Sequence, residues 1–178
     1  VYPPDAVEGI CRLAAERDLL LISDEIYNLL SFDASPVSAF AQAPERTVLL
    51  RGFGKSYGMT GWRMGFAAGP AGVIGEMAKI QQYTFVCAPS MVQAAGLAAM
   101  DVDMSDRVAA YRTKRDYVAG RLADAFDAVV PGGAFYFFPP APDGMTGTRF
   151  VERAIEHDVL IIPGSVFSER DTHFRLSY

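Results

Sequence analysis

One lysine of this chain stands where the sequence suggests chemistry. Lys55 lies in a segment with five glycines, residues 51–65, directly after a short apolar run. Glycines at that density permit backbone conformations closed to other residues, or a close approach to a bound molecule. A cationic side chain held there needs an anionic partner or a reaction that uses its amine. Lys55 is therefore the first candidate for a reactive group.

The triplet Gly54-Lys55-Ser56 also matches the end of the phosphate-binding loop of nucleotide hydrolases. That motif requires a glycine at position 49, where this chain has Leu49, and a long helix after the serine. Further glycines up to residue 65 disfavour such a helix, because each costs about 1 kcal/mol relative to alanine. The sequence therefore argues against a nucleotide-binding loop.

Three other side chains complete a set that suits pyridoxal phosphate (PLP). Asp24 and Tyr27 follow the apolar run of residues 19–23, and Arg63 follows Lys55 by eight positions. A lysine can form a Schiff base with this cofactor, and a carboxylate keeps its pyridine nitrogen protonated. A phenol can hydrogen-bond the ring oxygen, and an arginine can hold the phosphate. Singly, each has an ordinary structural explanation; together, their order and spacing favour the cofactor.

The elements that must position these residues follow the rhythm of an α/β protein. An apolar stripe ending near residue 17 predicts a helix, and residues 19–23 and 47–50 predict strands, the first buried on both faces. A helix followed by a buried strand is typical of a parallel sheet, which binds ligands at the carboxyl ends of its strands. Asp24 comes at one such end.

The pattern changes after residue 131. Short strands are predicted over residues 134–138, 159–162 and 172–177, and a helix over residues 147–157, which indicates a small α+β unit. The helix before them, from Ser105 to about residue 126, carries a basic cluster that we interpret as a solvated surface, with a basic binding face as the alternative. Its members are Arg107, Arg112, Lys114, Arg115 and Arg121.

The motifs around the candidate residues resemble a known family. The chain reads DEIY over residues 24–27 and GKSYGMTGWRMGF over residues 54–66. These motifs look like the class I/II PLP-dependent aminotransferases, the aspartate-aminotransferase-like enzymes of fold type I. Segments 133–139, 163–167 and 174–178 also fit, so the resemblance covers nearly the whole chain.

The resemblance implies a fold and a division into domains. The fold is α/β, with part of the fold type I large domain, mainly a parallel sheet with flanking helices, and a smaller α+β domain. Residues 1–105 would belong to the PLP-binding large domain and residues 106–178 to the small C-terminal domain. In the full-length form, members of this family are expected to be homodimers.

The resemblance also assigns roles residue by residue. It implies that Lys55 is the Schiff-base lysine and proton carrier, that Asp24 pairs with the pyridine nitrogen, and that Tyr27 pairs with the ring oxygen. Arg63 would bind the phosphate, and Arg175 the α-carboxylate of the substrate. The implied activity moves an amino group from an amino acid to a 2-oxo acid by a ping-pong mechanism. PLP-dependent C–S lyases and related fold type I enzymes, such as aminocyclopropane-carboxylate synthases, share this fold and lysine and stay alternatives.

The chain departs from the family pattern in two respects. Many relatives carry hydroxyl residues one and three positions before the lysine, where this chain has Gly54 and Gly52. A side-chain donor for the phosphate is therefore missing. The front half of the large domain and the last helix are not recognised, which suggests a fragment and adds a catalytically silent piece as another interpretation.

Composition limits the other function classes. Of 178 residues, 51% are hydrophobic and 21% are charged, which is typical of a globular protein. The net charge of −5 disfavours nucleic-acid binding, and no apolar run approaches the roughly 20 residues of a membrane span. Two histidines and two distant cysteines suggest neither a metal site nor a disulfide framework. Without a visible targeting signal, the chain is expected to be cytoplasmic.

Overall fold

The computed structural model describes residues 1–178, which form two units, Val1–Asp106 and Arg107–Tyr178. Elements of the first unit are α1 (Pro4–Glu16), β1 (Leu21–Asp24), α2 (Ala39–Gln42), β2 (Thr47–Gly52), α3 (Phe53–Ser56), β3 (Gly65–Ala68), α4 (Ala71–Gln82) and α5 (Ser90–Met100). Helix α6 (Ser105–Leu122) starts at the boundary, and β4 (Tyr136–Phe137), α7 (Gly147–Ile155), β5 (Ile162–Pro163) and β6 (Phe174–Ser177) follow. The predicted α/β class is confirmed. None of the helices has the length and apolar character that crossing a bilayer requires.

The sheet of the first unit has the strand order β1-β2-β3. Strands β1 and β2 run parallel, whereas β3 returns antiparallel to β2. The β2–β3 pairing ends at Gly52 and Gly65, where a Cβ atom on Gly65 would lie 2.7 Å from the carbonyl oxygen of Arg51. Only glycine lets the two strands approach this closely.

Helix α1 begins at a proline pair and covers one face of β1. Pro4 is the first helical residue, where its missing N–H leaves no hydrogen bond unmade. The core of this region comprises Val7, Cys11, Ala39 and Ala43, with Leu21 and Val37 packed against it. Ile22 points to the opposite face and is 71% exposed. The expectation that this strand is buried on both faces is therefore wrong, because α1 and α2 pack on one face only.

The second unit is held together by aromatic packing. Its three strands pair antiparallel in the order β4-β6-β5. Phe174 of β6 and Phe137 of β4 are 2% and 1% exposed. The ring of Phe174 contacts Phe150 of α7 at 4.7 Å and Phe126 at 5.3 Å between centroids. These rings join the sheet of this unit to α7 and to the segment after α6.

One member of the basic cluster on α6 is buried. Arg115 is 6% exposed, and its Nε donates to Asp116 at 2.8 Å. Its Nη1 donates to the carbonyl oxygen of Pro131 at 3.0 Å. The interpretation as a solvated surface is therefore wrong for this arginine. Its charge is tolerated inside because a carboxylate and a backbone carbonyl satisfy its donors.

Candidate active site

The parallel pairing of β1 and β2 brings two of the predicted residues to the same edge of the sheet. Asp24 is the last residue of β1 and pairs in register with Leu50 of β2. The amide of the next residue, Glu25, donates to the carbonyl oxygen of Leu50 at 2.9 Å. Lys55 lies five positions after Leu50, in α3. Both segments thus emerge at the carboxyl ends of neighbouring parallel strands, where α/β sheets bind ligands.

Asp24 presents an exposed carboxylate in an ordered turn. Its Oδ1 accepts a hydrogen bond from the backbone N–H of Ile26 at 3.2 Å. That contact is an Asx-type turn, which fixes the side chain while the chain leaves the strand. The second oxygen, Oδ2, is left available for a cationic donor.

Tyr27 lies in the tight loop that follows Asp24. The amide of Asn28 donates to the carbonyl of Glu25 at 3.0 Å, and the amide of Leu30 donates to the carbonyl of Tyr27 at 2.9 Å. The tyrosine side chain is half-buried. A phenol in this setting is held close to the strand end rather than extended into solvent.

Lys55 is half-buried on the four-residue helix α3, and its neighbour Ser56 fixes that helix in place. Ser56 is 3% exposed, and its Oγ donates to the carbonyl oxygen of Ile26 at 3.1 Å. The same oxygen lies 3.4 Å from Oδ1 of Asn28. Sequence reasoning missed this contact, which joins the Lys55 segment to the loop that follows Asp24 and carries Tyr27.

Arg63 occupies a left-handed backbone conformation, with φ 50° and ψ 43°. This conformation costs a residue with a Cβ atom about 1–2 kcal/mol. Its guanidinium is exposed, and Nη1 donates to the carbonyl oxygen of Thr60 at 3.2 Å. Strained backbone of this kind is often retained where a side chain has to be aimed.

An open cavity of about 530 Å³ lies beside this turn. It is lined by residues of the 58–62 segment and by the start of α5, including Trp62 and Met91. The cavity is open on this side, because a Cβ atom on Gly58 or Gly61 would meet nothing within 4 Å. A flat ring compound could therefore approach this part of the first unit.

A half-buried ion pair connects the residue after β1 to a residue near the end of β2. Glu25 comes directly after Asp24, and its Oε2 accepts from Arg51 Nη2 at 2.9 Å and Nε at 3.3 Å. Sequence reasoning missed this pair too. The available signal was one charged residue at the end of each of two apolar runs, with opposite signs.

Arg175 lies in the second unit, on β6, between two aromatic rings. Its guanidinium carbon is 4.6 Å from the ring centroids of both Tyr136 and Phe167. Its Nε is buried and has no hydrogen-bond partner. The two rings orient the guanidinium, and at least one of its N–H donors is left for another acceptor. This arrangement suits a planar anion such as a carboxylate.

One protein family matches the whole of this chain. The model of the family described as aminotransferase class I and II matches residues 1–178. The chain belongs to this family.

Aminotransferases from several organisms are similar to this chain. The aspartate/prephenate aminotransferase of Thermus thermophilus is 38% identical over 189 residues, which is 100% of this chain and 48% of that protein. The aspartate aminotransferase of Musicola paradisiaca is 35% identical over 192 residues, again 100% of this chain and 48% of the relative.

A solved aminotransferase structure has the same fold. The crystal structure of aspartate aminotransferase from Thermotoga maritima superposes with a TM-score of 0.93 at 35% identity, covering 100% of this chain and 48% of that one. The expected fold type I assignment is therefore confirmed. This aminotransferase chain spans about half the length of the relatives that it matches.

Proposed function

We propose that this chain carries the cofactor-binding and catalytic residues of a PLP-dependent aminotransferase. The reaction moves an amino group from an amino acid to a 2-oxo acid in two half-reactions of a ping-pong mechanism. The observation that supports it most is the meeting of the Asp24 and Lys55 segments at the carboxyl ends of parallel neighbours β1 and β2. The names of the similar proteins support the same reaction type.

The donor set of the first unit fits PLP chemically. This cofactor has an aldehyde that reacts with an amine, a pyridine nitrogen that requires an acid, a ring hydroxyl and a phosphate. Lys55, Asp24, Tyr27 and Arg63 supply one group for each. In place of the hydroxyl residues of many relatives, Gly54 and Gly52 offer backbone N–H groups to the phosphate.

Each residue then has a defined task. Lys55 holds the cofactor through Nζ and afterwards takes the proton from the substrate Cα. The carboxylate of Asp24 keeps the pyridine nitrogen protonated, and the phenol of Tyr27 donates to the ring oxygen. Arg63 binds the phosphate through paired N–H donors. When bound, the protonated cofactor serves as the electron sink that stabilises negative charge at the substrate Cα.

Arg175 is proposed to bind the α-carboxylate of the substrate. Packing between Tyr136 and Phe167 restricts the guanidinium to one orientation, so less rotamer entropy is lost when the anion arrives. The buried Nε without a partner adds a directional donor. The substrates are accordingly an α-amino acid and its 2-oxo acid counterpart.

We extend the proposal to the setting of the whole protein, which would act as a homodimer in the cytoplasm. The unpaired state of both cysteines, Cys11 and Cys87, supports a reducing compartment. The dimer rests on the family resemblance. Sedimentation of the full-length protein tests it, and a monomer at working concentration would contradict it.

A half-reaction tests the proposed activity. The chain is incubated with PLP and a series of amino acids, and formation of 2-oxo acid and pyridoxamine phosphate is measured against Lys55→Ala. Faster formation than in the variant supports transamination. Equal rates in the two proteins would contradict it for this chain. Release of ammonia and thiol from a cysteine conjugate would instead favour the C–S lyase alternative.

A further inference from the structure

The ion pair between Glu25 and Arg51 lies between the two segments that carry the proposed cofactor residues. We call this pair the strand-end clamp. Both Nε and Nη2 of the arginine donate to the same carboxylate oxygen, at 3.3 and 2.9 Å. The Glu25 and Arg51 side chains are 14% and 34% exposed. The pair is therefore better shielded than a surface salt bridge, and its geometry is more restricted.

The carboxylate of Glu25 is fully engaged in holding the protein together. Its second oxygen, Oε1, accepts from Ser38 Oγ at 2.6 Å and from Ser23 Oγ at 3.2 Å. Four hydrogen bonds thus converge on one side chain. A carboxylate in this state is poorly suited to act as a general base, because every oxygen already has a donor. The hydrogen bonds of the Glu25 carboxylate therefore suit a positioning role and not proton transfer.

The clamp acts where the parallel pairing of the strands ends. The last pair in register is Asp24 with Leu50, and the clamp joins the next residue of each strand. Beyond this point the chain after β1 turns away, while β2 continues along β3 to Gly52. The side-chain contact between Ser56 and the Ile26 carbonyl gives a second tie farther along.

We propose that the strand-end clamp is a positioning device that sets the separation between Asp24 and Lys55. This inference rests on the proposed function, in which these two residues hold opposite ends of one rigid ring. A ring cofactor cannot adapt its length, so its two protein partners must be placed by the protein. Reactive groups have to be held within about 0.5 Å of the productive geometry for efficient chemistry. Paired hydrogen bonds from one guanidinium can hold two segments in this way, whereas a flexible loop cannot.

The test compares the reactivity of Lys55 in the full chain with and without the clamp. The lysine amine adds to the aldehyde carbon of PLP with loss of water, and borohydride then delivers hydride to the resulting C=N bond. Peptide mapping gives the labelling rate of each lysine, and Lys79 and Lys114 serve as internal references. Visible circular dichroism of the bound cofactor before reduction reports the orientation of its ring.

The clamp variants are Glu25→Gln, Arg51→Met and the double variant. Each single change is expected to slow labelling of Lys55 about 10-fold, less than the ~100-fold that a 1 Å misplacement can cause. The cofactor dichroism should weaken in parallel, while Lys79 is unaffected. The double variant should be no slower than either single one, because both changes break the same contact. Arg51→Lys, which keeps the charge and loses the fork, should be intermediate.

A matched control changes an exposed pair in the same way. Glu152→Gln removes the carboxylate that Arg149 contacts at 3.1 Å on α7, and Lys55 should keep its wild-type labelling rate. If the clamp variants label Lys55 at the wild-type rate with unchanged dichroism, the inference is overturned. The same holds if the effects of the single variants multiply in the double variant.

A measurement without cofactor separates this inference from the proposed function. If wild-type Lys55 is labelled no faster than Lys79, the proposed function fails, and the clamp is judged by hydrogen exchange alone. The Ile26 amide donates to Asp24 and the Phe53 amide donates to the Met64 carbonyl at 3.1 Å. Several-fold faster exchange of both amides in Glu25→Gln supports the clamp; unchanged exchange overturns it.

Discussion

Replacing Ser56 by alanine should destabilise the first unit measurably, although only one oxygen atom is removed. Ser56 is 3% exposed and donates to the Ile26 carbonyl at 3.1 Å. A shielded carbonyl that loses its donor costs about 1–3 kcal/mol. Alanine returns a few tenths of a kcal/mol as the better helix former. The expected net loss in the free energy of unfolding is about 1–2 kcal/mol.

Urea unfolding followed by circular dichroism measures this loss. With a denaturant slope of about 2 kcal/mol/M, the midpoint should fall by about 0.5–1 M. Ser90→Ala is the matched control, because Ser90 is exposed as the first residue of α5. Its effect should stay within about 0.5 kcal/mol. Equal midpoints for the two variants would refute the account of how the Lys55 segment is held.

Three further predictions follow from local geometry. Gly65→Ala should lower the free energy of unfolding by about 1–3 kcal/mol, because the new Cβ would lie 2.7 Å from the Arg51 carbonyl oxygen. Gly61→Ala is the control and should be tolerated, because a Cβ at position 61 meets nothing within 4 Å. Similar thermal midpoints for the two variants would contradict this. Burial raises the pKa of Tyr178 to about 12, an effect that a nearby arginine partly offsets. The phenol of the unfolded chain ionises near pH 10. The stability contributed by the protonated phenol is therefore fully present below about pH 10 and is lost as the pH rises toward 12. Unfolding measured as a function of pH should show a smaller decline over this range in Tyr178→Phe. Arg175→Lys should raise the KM of the full-length enzyme for its amino acid about 10- to 100-fold, with a smaller change in kcat. The reason is that a lysine cannot offer the paired N–H donors of a guanidinium. An unchanged KM would argue against a role of Arg175 in carboxylate binding.

The placement of the candidate site could be predicted because strand ends are a local property of the sequence. The apolar runs ending at Ser23 and Leu50 lie in β1 and β2, and the residues that follow them meet at one sheet edge. The roles of Asp24, Tyr27, Lys55 and Arg63 stay predictions that the experiments above address. The motifs around these residues carried the resemblance to the family, and the match over residues 1–178 confirms the family.

What escaped prediction depends on contacts between residues distant in sequence. Burial of Arg115 requires the carbonyl of Pro131, and no helical pattern reveals that this carbonyl approaches. The strand expected over residues 134–138 is shorter, because only Tyr136 and Phe137 pair with β6. In the same way, the strand-end clamp exists only because Glu25 and Arg51, 26 positions apart, become neighbours.

Mapping of the reduced adduct shows whether Lys55 is the residue that reacts with PLP. The chain contains three lysines, so Lys79 and Lys114 serve as internal references for Lys55. We expect the pyridoxyl group on Lys55 at limiting PLP, and Lys55→Ala should lose the adduct without transferring it to Lys79 or Lys114. An adduct distributed evenly over the three lysines, or one that persists in Lys55→Ala, would contradict it.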